Sequence, residues 1–390
     1  MVSLSSQQPR GSRRIILVTN DLGPRAGGIE TFILGLLDYL DCSELLIFTS
    51  SQAGSEEFDR LLSERTGALI VRDRAKVLLP SPRINRAVAK LMKEYRSEVI
   101  WFGAAMPLAW MSGLLKRRGA KRIVALTHGH EVWWAKIPPF SAIFAQSTKS
   151  IDYLTYLGEF TKSAMNPHVS SRCTMVRIAP GISTTHFSPG KKGPELVDQF
   201  QLAGKKTIVC VGRLVHRKGQ DRLVAAMPAI LKEHPDAVLV FVGIGPRKQK
   251  LDQLVKRYSL ESNVRFVGRV AYSELPEYFR LADLFAMPSR SRLAGFEVEG
   301  LGIVYLEASA SGIAVLGGES GGAPDAVMVG RSGEIVDGND PKAIASAVNS
   351  LLSDPERLTR MGEFGRQWAV EQWSWEIWGK RFAALFNETT

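Results

Sequence analysis

Short runs of valine, isoleucine and leucine recur along this chain, separated by amphipathic stretches, and few folds accept that pattern. In the first half the runs fall at residues 14–19, 44–50, 68–71, 99–103, 122–127, 143–146 and 175–178. Strands this apolar along their whole length are buried on both faces, which predicts a parallel sheet covered by helices. The second half restarts the pattern at 207–211, 238–242, 264–267, 284–287, 314–316 and 334–336. Two βαβ arrays in tandem predict an α/β chain of two Rossmann-like domains facing a central cleft. A length of 390 residues also exceeds what one core usually fills. Pro180-Gly181-Ile182, followed by Pro189-Gly190, reads as a hinge or linker. The expected domains are therefore 1–183 and 184–372. Trp373, Trp375, Ile377, Trp378, Phe382 and Phe386 predict an apolar tail helix that crosses back to complete the first domain.

The net charge of +11 is unevenly shared. Residues 1–183 hold 24 lysines and arginines against 15 acids, whereas residues 184–390 hold 26 against 24. The excess predicts an anionic partner for the first half, either nucleic acid or an acidic membrane surface. One local candidate is the stretch 83–96. Ile84, Ala87, Val88, Leu91, Met92 and Tyr95 recur there at helical spacing, with Arg83, Arg86, Lys90 and Lys93 towards the other side. Arg72, Arg74, Lys76 and Val77-Leu78-Leu79-Pro80, expected to be exposed, precede it. A basic helix beside an apolar loop suits anionic lipid headgroups, and an ordinary surface helix packed on the sheet reads the same way. No aromatic and basic residues interleave as in nucleic-acid modules. The longest uncharged run, 99–115, is broken by Gly103, Pro107 and Gly113, which speaks against a membrane span. The N-terminus lacks an apolar signal core and the three cysteines have no metal-ligand spacing, so a cytoplasmic enzyme is expected.

The densest chemistry lies in Glu299-Gly-Leu-Gly-Ile-Val-Tyr-Leu-Glu307. Glycines before an apolar run predict a tight loop feeding a helix near Gly302 and Ile303, with a carboxylate in its first turn. The free N–H groups of such a start suit a diphosphate. The two carboxylates can accept hydrogen bonds from sugar hydroxyls. An ordinary acidic bias at a helix start is the plainer alternative. Arg213 and Lys218 follow the first strand of the second half, where they can neutralise a departing diphosphate. Gly27-Gly28 after the first strand allows close backbone approach to a ligand. Gly243-Ile-Gly245 continues to Lys248 where a dinucleotide fingerprint needs glycine, which argues against an NAD-dependent oxidoreductase. Neither a P-loop nor an Asp-x-Asp pair is present, so no cofactor and no metal-held diphosphate are expected. In Thr127-His128-Gly129-His130-Glu131, His128 is placed to bond a sugar or acceptor, or else is structural. A metal site is disfavoured there, because histidines two apart diverge on an extended chain.

Together these motifs resemble the retaining glycosyltransferases of family 4, which have the GT-B fold. The resemblance runs through Gly27-Gly28, His128, Pro180-Gly181-Ile182, Arg213 with Lys218, Gly243-x-Gly245-Pro and Phe266-Val-Gly268. It continues through Pro288-Ser289, Glu299-x7-Glu307 and Gly321-Gly322-Ala-Pro324. Thr127-His-Gly-His-Glu131 and Ser291-Arg-Leu-Ala-Gly295 look like an actinobacterial subgroup. That subgroup transfers mannose from GDP-mannose to phosphatidylinositol monomannoside in α-1,6 linkage at the cytoplasmic membrane face. The resemblance implies that Gly27 and Gly28 pack against the donor phosphates, and that Arg213 and Lys218 bind the diphosphate with the helix start at Gly302 and Ile303. It implies that Glu299 holds mannose hydroxyls, Glu307 the ribose, and the backbone from Gly268 to Val270 the base. His128 would lie at the reacting sugar, no metal would be required, and the enzyme would be peripheral to the membrane. Asp325, where many members have Glu, and Phe296-Glu297 depart from the pattern and leave the acceptor open. A UDP-sugar donor or another lipid acceptor is the alternative.

Overall fold

The Val/Ile/Leu runs form two separate parallel sheets, each in its own unit of the chain. The computed structural model describes residues 14–24 and 27–387. The first unit takes the chain up to Leu157, Lys162–Ala179 and the tail from Glu376. The second takes Gly158–Thr161 and Pro180–Trp375.

The first sheet comprises β1 (Ile15–Thr19), β2 (Leu45–Thr49), β3 (Leu69–Arg72), β4 (Val99–Phe102), β5 (Arg122–Ala125), β6 (Tyr153–Tyr156) and β7 (Thr174–Arg177). Their order is β3-β2-β1-β4-β5-β6-β7. Every residue of β1, β2, β4 and β5 is buried, as a sheet covered on both faces requires. The order turns back at β1, which pairs with both β2 and β4. Connections leave that point on opposite faces, so a crevice opens beyond the carboxyl ends of β1 and β4.

Residues 143–146, expected as a strand, lie instead inside the helix Phe140–Thr148. Its buried residues Phe144, Ser147 and Thr148 recur with helical period, which a four-residue apolar window cannot reveal. The strand at that place in the order is Tyr153-Leu-Thr-Tyr156, aromatic and β-branched rather than aliphatic.

The tail is two helices. Ser374, extended at φ −65° and ψ 150°, separates Pro355–Trp373 from Trp375–Asn387. Within the first unit the rings of Phe382 and Phe386 stand 4.8 and 6.2 Å from that of Trp101 on β4. Arg122 Nη1 donates to Leu385 O at 2.9 Å, so the tail is fixed both by apolar burial and by a buried hydrogen bond.

In the helix Pro82–Tyr95, Ser81 Oγ accepts the Ile84 N–H. Ile84, Val88, Met92 and Tyr95 face the core, while Arg83, Arg86, Lys90 and Lys93 are exposed. Val77 and Leu79 before it are also exposed. Leu78, expected alongside them, is wholly buried. Asn20 holds it there, accepting its N–H at 2.6 Å and donating to its carbonyl at 3.0 Å. Among the described residues no helix is long and apolar enough to cross a membrane.

The second sheet comprises β8 (Lys206–Val211), β9 (Ala237–Val242), β10 (Val264–Gly268), β11 (Leu284–Met287), β12 (Val315–Gly318) and β13 (Gly333–Val336). Their order is β10-β9-β8-β11-β12-β13, which turns back at β8 beside β11. The loops after β8 and β11 carry Arg213, Lys218 and Glu299, so the fold of this unit gathers those residues at its own crevice.

Candidate functional site

In the second unit the loop after β8 is shaped by its neighbours. The Leu214 N–H donates to Ile244 O at 3.0 Å, and the Arg247 N–H returns to Leu214 O. A 3-10 turn, His216–Lys218, then ends at Gly219 with φ +73°. A Cβ on Gly219 would stand 1.9 Å from Pro288 O, so only glycine lets this turn close against the exit of β11. That closure buries Lys218 and sets its Nζ 2.9 Å from Glu299 Oε2.

Glu299 is fixed from its other side. Ser320 Oγ accepts its N–H at 3.1 Å, and its carbonyl accepts the Gly322 N–H at 2.8 Å. Side chains at Gly321 and Gly322 would strike the carbonyls of Glu299 and Gly300. The Gly-Gly-Ala-Pro motif is thus the bed on which Glu299 lies. Arg217 Nε stands 3.6 Å from the same Glu299 oxygen. Glu299 Oε2 thus faces two cations, with Lys218 Nζ the nearer.

The helix Ile303–Ala310 begins after Gly302, at φ +80°, with no side chain capping its first N–H groups. Tyr305 anchors it: its hydroxyl donates to Met287 O at 2.7 Å and lies 2.9 Å from Ser289 Oγ. Glu307 is the fifth residue of this helix, in the second turn rather than the first-turn position expected. It is buried, and burial pushes its carboxyl up to about 7 against the opposing pull of Lys218. Gly268 closes β10 at φ +91° and its carbonyl accepts the Gly243 N–H, with Val270 half-buried beyond it.

Arg213 and Lys218, both expected at the diphosphate, differ in their surroundings. Arg213 is exposed and makes no ion pair among the described residues, whereas Lys218 is buried and paired. Sequence reasoning also missed Arg290, a buried guanidinium with Nη2 2.9 Å from Asp221 Oδ2 and 3.1 Å from His216 Nδ1. Its own N–H donates to Arg217 O at 2.7 Å, which joins the loop after β11 to the turn that carries Lys218. The signal available was its position, directly after Pro288-Ser289 at a strand end.

In the first unit the Gly27 N–H donates to Glu30 Oε2 at 3.0 Å, and the helix Gly28–Leu37 starts there. Gly27 and Gly28 are exposed, and a Cβ at either would meet no atom of the described residues within 4 Å. Packing against the described residues therefore gives no reason for glycine at these two positions.

After β5, His128 Nε2 lies 2.6 Å from Gly103 O and its ring makes a T-shaped contact with that of Phe32. Burial holds its pKa below the ordinary range. His128 and His130 do not diverge as an extended chain would make them. Gly129 turns the backbone at φ +95°, and the two rings lie within 11° of parallel with centroids 6.3 Å apart. Glu131, directly after them, is completely buried.

Cations and a carboxylate are gathered at the switch point of a doubly wound sheet, beside a helix start, where open α/β folds place their ligands. The family model for glycosyl transferases group 1 matches residues 194–368. Over 375 residues the chain is 39% identical to the GDP-mannose-dependent alpha-(1-6)-phosphatidylinositol monomannoside mannosyltransferase of Mycolicibacterium smegmatis, covering 96% of this chain and 98% of that one. It is 37% identical over 381 residues to the GDP-mannose-dependent monoacylated alpha-(1-6)-phosphatidylinositol monomannoside mannosyltransferase of Corynebacterium glutamicum, at 96% and 98% coverage. Among solved structures, Anabaena Alr3699/HepE in complex with UDP superimposes with a TM-score of 0.79 at 16% identity, covering 95% and 98% of the two chains. Sucrose-phosphate synthase from Thermosynechococcus elongatus gives 0.76 at 21%, covering 96% and 98%. The chain belongs to the group 1 glycosyl transferases, and its two parallel-sheet units are those of the GT-B fold.

Proposed function

We propose that this enzyme transfers mannose from GDP-mannose to phosphatidylinositol monomannoside, forming an α-1,6 linkage with retention at the sugar carbon. The names of the relatives that align along almost the whole chain support the donor and acceptor. The observation that carries the chemistry is the buried Lys218–Glu299 pair in front of the helix start at Gly302.

In this reading the diphosphate sits at the first N–H groups of the helix Ile303–Ala310 and draws Lys218 towards itself, with Arg213 closing over it from solvent. Glu299, relieved of Lys218, accepts hydroxyls of the mannose. Glu307 accepts the ribose hydroxyls, and the backbone at Gly268 to Val270 meets the base. Gly27 and Gly28 leave the backbone open to the donor phosphates, and His128 bonds the sugar. The acceptor oxygen bonds to the sugar's anomeric carbon as the bond from that carbon to the phosphate oxygen breaks. The acceptor proton passes to the departing phosphate on the same face. Lys218, Arg213 and the helix start stabilise the charge that grows on that phosphate, so no metal is required.

The exposed cations Arg86, Lys90 and Lys93, with Val77 and Leu79 beside them, support peripheral attachment of the first unit to an anionic membrane.

The test is transfer of labelled mannose from GDP-mannose into the organic phase with phosphatidylinositol monomannoside as acceptor, with and without EDTA. Robust, EDTA-resistant transfer that Glu299→Ala abolishes is expected. Activity confined to a UDP-sugar or to another lipid in the same assay overturns the donor or acceptor and retains the family.

A further inference from the structure

The turn after β5 contains a buried carboxyl group and a second histidine that the donor chemistry leaves unused. The Thr127 N–H donates to Thr155 Oγ1 at 3.1 Å and Thr127 Oγ1 donates to Thr155 O at 2.8 Å, which ties the end of β5 to β6. Beyond this anchor Glu131 has no exposed surface. Its Oε2 accepts the His128 N–H at 2.9 Å. Its Oε1 lies 3.3 Å from His130 Nε2, close but outside ideal hydrogen-bonding geometry, and among the described residues no other group bonds it. Among the described residues His130 is the basic group paired with this carboxyl. A carboxyl group wholly removed from water is costly, so it requires a structural or functional return.

The partners of the two rings assign their tautomers. His128 Nε2 faces the carbonyl of Gly103, which only accepts, so that nitrogen carries the hydrogen. Burial keeps the ring neutral, which leaves Nδ1 as a bare acceptor. His130 Nε2 faces the Met106 carbonyl at 3.4 Å and Glu131 Oε1 at 3.3 Å. Both partners only accept, so Nε2 carries a hydrogen, and in the neutral ring Nδ1 is the acceptor. The two near-parallel rings offer a pair of acceptors at the carboxyl end of β5, and the side chain of His130 is 36% exposed. Hydroxyl groups are the donors that match such a pair.

We propose that His130, held in place by Glu131, is a specificity-determining residue whose Nδ1 accepts a hydroxyl of the polyol acceptor. Glu131 is a positioning residue that acts through the two histidines. This proposal rests on the sugar-transfer reading above for the identity of the acceptor, and on the partners of the ring nitrogens for the tautomer.

Two measurements test it. Ring-nitrogen NMR of the unliganded full chain reads the tautomers directly, with unprotonated Nδ1 expected at both His128 and His130. A protonated Nδ1 on neutral His130 overturns the proposal, whatever the acceptor is. In steady-state kinetics with GDP-mannose and phosphatidylinositol monomannoside, His130→Phe should raise the acceptor KM roughly tenfold, the loss of one hydrogen bond. The donor KM should rise by much less than the acceptor KM. His130→Asn, whose side-chain oxygen reaches the place of Nδ1, should restore most of the acceptor KM, and Glu131→Gln should raise it as His130→Phe does. An unchanged acceptor KM in His130→Phe, with active wild type, also overturns it. Wild type that transfers nothing to this lipid defeats the functional reading instead, and the NMR result still decides the role of His130.

Discussion

Lys218 Nζ lies 2.9 Å from Glu299 Oε2, with both side chains nearly excluded from solvent. The pair joins the loops leaving β8 and β11, the two strands where the second sheet changes direction. Each member would be a costly buried charge alone, and together they are tolerated without ligand. A nucleotide sugar supplies an anion for the lysine and hydroxyl donors for the glutamate. The pair is therefore a holding arrangement that a donor can replace on both sides at once.

Removing one partner should cost both stability and turnover. Lys218→Ala leaves Glu299 with only the more distant Arg217, and we expect a loss on the order of 3 kcal/mol. Its transfer rate should fall by about two orders of magnitude, because the departing diphosphate loses its buried cation. The double variant Lys218→Met, Glu299→Leu should recover most of the melting temperature and none of the activity. Thermal melting and the lipid-transfer assay separate the two effects; a double variant as unstable as Lys218→Ala would refute the pairing argument.

Two kinds of glycine should respond oppositely to alanine. At Gly219 a Cβ would overlap Pro288 O and the φ of +73° is unfavourable, so Gly219→Ala should destabilise by several kcal/mol and displace Lys218. At Gly27 and Gly28 nothing among the described residues obstructs a methyl group, so stability should change by less than about 1 kcal/mol. If the donor phosphates approach there, KM for the donor nonetheless rises in both variants. Normal donor KM in a folded Gly28→Ala enzyme would remove this loop from the site.

Much of this was legible in the sequence because fully buried strands announce themselves. Twelve of the strands were anticipated to within a residue or two, since an aliphatic run between helical stretches has few other uses. The failure at 143–146 has the same origin, as a four-residue apolar run fits one face of a helix equally well. The candidate residues after β8 and β11 were found because strand ends are where such folds place chemistry. Their mutual arrangement was not legible. That Lys218 is neutralised by Glu299, that Arg217 and Arg290 join the cluster, and that Gly129 stacks two histidines all depend on loop closure between distant segments.

Membrane attachment, if it uses the helix Pro82–Tyr95, has unequal contributors. Arg83 already meets Asp73 at 2.7 Å, whereas Arg86 and Lys93 have no ion pair among the described residues. Arg86→Glu with Lys93→Glu should weaken sedimentation with vesicles containing anionic lipid, and wild-type binding should fall as salt rises towards 0.5 M, roughly, where screening is short-ranged. Binding to neutral vesicles of equal strength would exclude this surface as an electrostatic anchor.

Glu307 should make both stability and donor affinity depend on pH, with opposite signs. Its carboxyl titrates at about 7 in the folded chain, well above an unfolded glutamate. Between roughly pH 4.5 and 7 the folded state holds a proton that the unfolded state has released. Stability therefore falls as pH rises through that window, by on the order of 3 kcal/mol, and Glu307→Gln should flatten that slope. Ribose hydroxyls prefer the ionised carboxylate as acceptor, so donor affinity should climb about tenfold from roughly pH 6 to pH 8 as the proton is lost beforehand rather than on binding. Calorimetric titration of GDP-mannose at several pH values, with proton release read from buffers of different ionisation enthalpy, measures this directly. A pH-independent affinity with no proton released on binding would place the ribose away from Glu307.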